Sequence, residues 1–170
     1  MNSETGTLFP DSENPSRRPP LVWNVADLAR ALKIDEKEVK DYFTDGRRVS
    51  FLLERRVAKR LAWALAPSES AGFDLQDDVG GHWEVRCISK RGVYFSPSKD
   101  VGSKRKFTEK GLRAKIASLA GYVLCDIVSF PRIPFWIIRS EDVIVWLDSG
   151  RLGKRAYPSR ETILLLLGNG

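Results

Sequence analysis

The sequence predicts a mixed α/β protein, with a central mixed β-sheet flanked by helices and a small helical hairpin in front of it. Three observations lead there. Residues 72–96 alternate apolar and polar side chains around glycine turns, the two-residue period of antiparallel strands. Residues 122–128 and 134–139 are short apolar runs, the first nearly continuous, as in a strand buried on both faces. Residues 47–64 and 108–120 instead repeat apolar side chains at helical spacing. With 170 residues, 42% of them hydrophobic, the chain suffices for one core and at most a small subdomain.

Taken in order, residues 1–21 are polar and proline-rich without periodicity, and predict a flexible arm. Residues 22–46 predict a helical hairpin. Val25, Leu28, Ala29 and Leu32 form one apolar stripe behind an Asn24 cap, and Val39, Tyr42 and Phe43 form a second behind Asp35, with Gly46 as the stop. Such a hairpin is either a helix-turn-helix that reads DNA or a plain αα-hairpin, and its acidic second helix suits a phosphate backbone poorly. The α/β core then runs from 47 to 170. Its first helix buries Val49, Leu52, Leu53, Val57, Leu61 and Ala64, while Arg47, Arg48, Arg55, Arg56, Lys59 and Arg60 cover the rest. Glu54 sits among these bases, as a salt-bridge partner within the helix or as a carboxylate turned toward a site.

In residues 72–96 the turns fall at Gly80-Gly81 and Arg91-Gly92, with Trp83, Val85 and Cys87 on one face and Glu84, Arg86 and Ile88 on the other. Residues 97–106 form a basic loop carrying Lys99, Lys104, Arg105 and Lys106, placed where a phosphate clamp would serve. The helix over 108–120 turns Leu112, Ile116 and Leu119 inward and Lys110, Arg113 and Lys115 outward. After the two apolar strands, Ser140 caps a helix reaching Trp146, and 158–167 form the last helix.

Composition narrows the function. A net charge of +6 is compatible with a polyanionic partner. One histidine and two cysteines exclude paired-histidine nuclease chemistry and zinc sites of the Cys/His or Cys₄ type within one chain. His82 reads as an exposed turn residue. Cys87 and Cys125 read as buried thiols, which points to a reducing cytoplasm. No apolar run approaches membrane-spanning length, and no phosphate-binding glycine loop or dinucleotide fingerprint occurs.

The chemistry concentrates in residues 72–96. Asp74, placed at the end of the first hairpin strand, and Glu84 on its partner strand come close across an antiparallel pair. Two carboxylates beside the cation Arg86 are the requirement for phosphodiester hydrolysis on a divalent metal. Asp77 and Asp78 are rival ligands if the register shifts, and read as turn residues otherwise. Arg86 remains protonated at any working pH, so it can position and stabilise but not accept a proton.

The order helix, three strands, basic loop, helix, two strands, with Asp74 followed by Glu84 in WEVR, resembles the PD-(D/E)XK nuclease superfamily over roughly residues 47–139. The resemblance implies a restriction-endonuclease-like core. Asp74 matches the first metal-binding carboxylate and Glu84 the acidic residue of the (D/E)XK element. Arg86 stands where lysine is usual, and Glu54 matches an acidic residue on the preceding helix. It further implies Mg²⁺, replaceable by Mn²⁺, held by Asp74, Glu84 and the Val85 carbonyl. The implied function is cleavage of double-stranded DNA by a cytoplasmic homodimer of type II restriction-enzyme kind, with Arg47, Arg48, Lys99, Lys104, Arg105 and Lys106 on the DNA. The alternative is a non-catalytic DNA-binding protein that uses the hairpin as a helix-turn-helix beside a degenerate nuclease-like domain.

Overall fold

The computed structural model describes residues 16–68, 70–96 and 107–168. Three helices follow a short N-terminal strand: α1 (Val25–Leu32), α2 (Glu36–Phe43) and α3 (Gly46–Leu61). Asn24 caps α1 by accepting from the Asp27 N–H, and Lys33 ends it in the left-handed conformation. Asp35 opens α2 in a reciprocal capping box with Glu38. These are the expected starts. The expected stop is not: Thr44 closes α2, and Gly46 is the first residue of α3, whose N-cap is Asp45. Gly46 packs closely there, since a Cβ would lie 3.2 Å from Cys87 Cβ. The boundary expected between 46 and 47 therefore falls inside the first turn of α3.

The six strands are β1 (Arg17–Val22), β2 (Ala64–Leu65), β3 (Leu75–Gln76), β4 (His82–Ile88), β5 (Gly121–Asp126) and β6 (Arg132–Arg139). They form one mixed sheet in the order β1-β6-β5-β4-β3-β2. Only β4 and β5 are parallel, and α4 (Glu109–Ala117) lies in the connection between them. The arm expected over residues 1–21 is corrected in its last part, because Arg17–Val22 pairs antiparallel with β6 as an edge strand. The register shifts between Arg18 and Leu21, where Pro19 and Pro20 face the β6 stretch containing Pro134. Prolines donate no ladder hydrogen bond, so this edge is where they can sit.

Two apolar layers enclose the sheet. On one face Ala29, Val39, Phe43, Val49, Leu53 and Val57 of α1–α3 pack against Trp83, Val85, Val123 and Cys125. On the other, Leu112 and Ile116 of α4 pack with Val143 and Trp146 of α5 (Ser140–Asp148) and Ile163 and Leu167 of α6 (Arg160–Gly168). Every residue of β5 is buried, as its apolar run predicts. Three details differ from expectation. Among the described residues no strand follows the Arg91-Gly92 turn before α4, and the third strand ahead of α4 is β2 instead. Ala64 leaves the α3 stripe for β2, because Ala62 turns left-handed and ends the helix. Ser140 does not cap α5; its hydroxyl donates to the Ile116 and Leu119 carbonyls and ties α5 to the end of α4. Cys87 and Cys125 are free thiols on neighbouring strands, and burial pushes Cys87 up to about 12.

Candidate functional site

The length difference between β3 and β4 creates the site. β3 pairs with β4 only at Leu75–Trp83 and Gln76–His82, so β4 from Glu84 onward has no ladder partner on that side. Asp74 stands just before β3, at its start rather than at the end expected from sequence. Its backbone still joins the ladder, donating to the Trp83 carbonyl and accepting from the Ala66 N–H, each at 2.9 Å. Its side chain then caps the open edge: Oδ2 accepts from the Val85 N–H at 2.8 Å. The N–H and carbonyl of one extended residue point the same way, so the Val85 carbonyl faces the same gap.

Glu84 lies on the α4–α6 face, in register with Tyr122 of β5, and is only 7% exposed. Two cations hold it. Arg86 Nη2 pairs with Oε1 and also donates to the Ser96 carbonyl at 3.4 Å. Lys115 Nζ, reaching from α4, forms an ion pair with Oε2 without hydrogen-bond alignment and donates to the Gly72 carbonyl at 2.6 Å. Burial raises the Asp74 pKa above its ordinary value; the Val85 N–H opposes this, Glu84 adds to it, and Arg86 and Lys115 counter it. Among the described residues, the buried side-chain atoms without a hydrogen-bond partner are Glu84 Oε2, Arg86 Nε and the Tyr122 hydroxyl. Burial, with the Glu84 charge second, lifts the Tyr122 phenol above its ordinary range.

Glu54, on α3, lines a cleft of about 390 Å³ with Asp74, Phe73 and Phe51. Arg47 and Arg48 are exposed on the first turn of α3; Arg48 pairs with Asp45 at 3.3 Å, and Arg47 borders a groove that also reaches Val85 and Arg86. Lys99, Lys104, Arg105 and Lys106 lie outside the described residues. Asp77 is a turn residue, as expected. It accepts from the Gly81 and Val79 N–H groups and from Trp83 Nε1 at 2.8 Å. Desolvation opposes its ionisation, but these hydrogen bonds outweigh it and hold the carboxyl below its ordinary value. His82 is half-buried and stacks on Phe73 with ring centroids 3.8 Å apart, rather than standing exposed in a turn.

Lys115 is the participant that the helical pattern assigns outward. Its side chain is only 16% exposed. The signal lies in its spacing, three residues after Leu112 and four before Leu119, which sets it on the flank of the buried stripe.

The oxygens that would serve a divalent cation are two carboxylates and a main-chain carbonyl, an all-oxygen set that suits a hard ion retaining much of its water. Both Glu84 oxygens are paired with cations as the site stands. Among the described residues, no three His, Cys, Asp or Glu side chains gather as a metal cage. Two carboxylates and two cations balance formally, so a divalent ion is accommodated best together with an anionic substrate. Comparison with protein-family models, with curated proteins and with solved structures gives no match.

Proposed function

We propose that the chain is a metal-dependent DNA endonuclease with a restriction-endonuclease-like core, cutting both strands as a homodimer. One observation carries this reading: Glu84, paired with the two cations Arg86 and Lys115, stands on the strand whose open edge Asp74 caps through the Val85 N–H, beside the Val85 carbonyl. The element order supports it, with α3, three antiparallel strands, α4, and then β5 and β6. Mg²⁺ or Mn²⁺ would be held by Asp74, Glu84 and the Val85 carbonyl, and would supply Lewis-acid activation of water and of the phosphodiester.

The side chains divide the remaining work. Asp74 must be ionised to act as a ligand, and its bond to the Val85 N–H fixes the carboxylate at the strand edge. Arg86, fixed between Glu84 and the Ser96 carbonyl, offers a permanent positive charge to a phosphoryl oxygen as charge develops. Lys115 places an ammonium beside Glu84 from a different element and so supplies the amine absent at position 86. An amine can exchange a proton during turnover, which a guanidinium does not do.

The test is incubation of the protein with long linear duplex DNA and Mg²⁺, beside EDTA and the Glu84→Ala and Lys115→Ala variants. Cleavage that stops with EDTA and falls about 10²-fold or more in each variant is expected. Intact DNA under both Mg²⁺ and Mn²⁺ overturns the proposal.

A second reading is favoured by the pairing of both Glu84 oxygens, which makes the cluster a closed, neutral structural unit. The protein would then bind DNA without cutting it. A gel shift indifferent to EDTA, with no cleavage, would select it.

A further inference from the structure

Beyond the carboxylate cluster, the unpaired edge of β4 opens into a groove of about 990 Å³. Val85 and Arg86 lie in its wall, so the groove begins at the cluster. Arg47 of α3 stands on one bank, and Lys90 and Arg91, just past β4, stand on the other; all three are exposed. Tyr94 and Tyr157 also line it, their rings parallel within 4° and 3.7 Å apart between centroids. The backbone holds that stack in place, because Val93 N–H donates to the Pro158 carbonyl and Phe95 N–H to the Ala156 carbonyl. Gly92 makes the close approach possible: its φ is +120°, and a Cβ would lie 2.0 Å from the Pro158 carbonyl oxygen. Tyr94 nevertheless remains 42% exposed, a large aromatic surface left to solvent beside cations.

The groove's carboxylates are already engaged: Asp45 caps α3 and pairs with Arg48, and Asp41 pairs with Lys37. What remains for a ligand is a basic track ending in an aromatic platform. Duplex DNA offers phosphates to such a track but keeps its base faces stacked inside. An unpaired strand offers both phosphates and base faces.

We infer that this groove takes an unpaired DNA strand leading away from the carboxylate cluster, with Arg47, Lys90 and Arg91 along its phosphates and a base stacked on the Tyr94–Tyr157 pair. The preferred substrate is therefore a duplex that frays, forks or ends in a single strand next to the cut. This substrate preference rests on the nuclease reading; the binding of an unpaired strand does not.

Fluorescence anisotropy in EDTA, where no metal-dependent cleavage occurs, separates the two. The probes are a labelled oligo(dT) and a blunt duplex of equal length. The intact protein is expected to bind oligo(dT) more tightly than the duplex. Tyr94→Ala should weaken oligo(dT) binding roughly 5- to 100-fold while duplex binding changes less than about twofold, and Tyr94→Phe should restore it, since stacking needs the ring and not the hydroxyl. Circular dichroism of both variants verifies folding. Equal binding of oligo(dT) by Tyr94→Ala and the intact protein overturns the inference, as does a loss shared equally by the duplex. In Mg²⁺, forked and blunt duplexes are then compared. Tyr94-dependent oligo(dT) binding without cleavage of either would sink the nuclease reading and leave the groove standing. Equal cleavage of both, unchanged in Tyr94→Ala, would sink the inferred preference and leave the nuclease.

Discussion

At the scale of single residues, the proposed role of Asp74 as a ligand opposes stability. Its folded pKa is raised, chiefly by burial, so the folded state favours the neutral acid. A raised pKa means that the native state holds a proton the unfolded chain releases. Stability is therefore undiminished below the unfolded value near 3.8 and is lost as pH rises through the folded value. Asp74→Asn keeps an oxygen for the Val85 N–H but carries no buried charge. Its melting temperature should exceed that of the parent at neutral pH, with the difference shrinking toward zero as pH falls below the unfolded pKa. Cleavage should be lost throughout. Thermal melts across a pH series measure this, and a variant less stable than the parent at neutral pH would contradict the assigned charge penalty. Glu84 and Arg86 lie on the one strand face that alternation assigns them, a local rule, whereas Asp74 stands at the start of β3 and not at the end where the hairpin reading put it. Lys115 was not legible in the sequence, since a helix pattern marks a flank without saying what stands opposite it.

Among the elements, the hairpin of α1 and α2 is where the proposed DNA reading can be tested. Its second helix carries Glu36, Glu38 and Asp41 beside Lys37 and Lys40, with Lys37 paired to Asp41 and Lys40 to Glu36 along its surface. Its inward side chains Val39 and Phe43 join the core layer of α3. It is thus a packing element first. Asp35→Ala removes the side-chain half of the capping box, the bond accepted from the Glu38 N–H, while the N–H of residue 35 can still donate to Glu38, and should cost about 1 kcal/mol in denaturant unfolding. DNA cleavage below the unfolding transition should be unchanged. A loss of DNA binding out of proportion to that small destabilisation would instead assign recognition to the hairpin.

The whole molecule depends on one sheet shared by two helical layers, so its unfolding should be a single cooperative transition. The tie at the far end of β5 is electrostatic. Asp126, only 2% exposed, receives Arg160 Nε at 3.0 Å and Nη2 at 2.6 Å, with the Ser129 hydroxyl at 2.7 Å. Arg160 opens α6, so this pair fixes that helix to the strand. Arg160→Ala would strand a buried carboxylate and should cost about 3 kcal/mol, measured by chemical denaturation. A change within error would show that Asp126 escapes to water. If the two layers melted separately, the sheet would not be the unit that couples them.

The sequence by itself determined the periods: where strands alternate, where helices carry a stripe, which residues cap α1 and α2, and which carboxylates lie on the hairpin. These follow from near neighbours along the chain. Only the tertiary structure decided that Arg17–Val22, read as arm, completes the sheet, because an edge strand with two prolines has no period to betray it. Only it showed that Gly46 begins a helix rather than ending one, close against Cys87 of β4. The second cation on Glu84, and the groove that joins Arg47, Arg91 and Tyr157, bring together residues far apart in the chain. Such neighbours are set by how the layers pack around β4 and β5, and no local pattern records that.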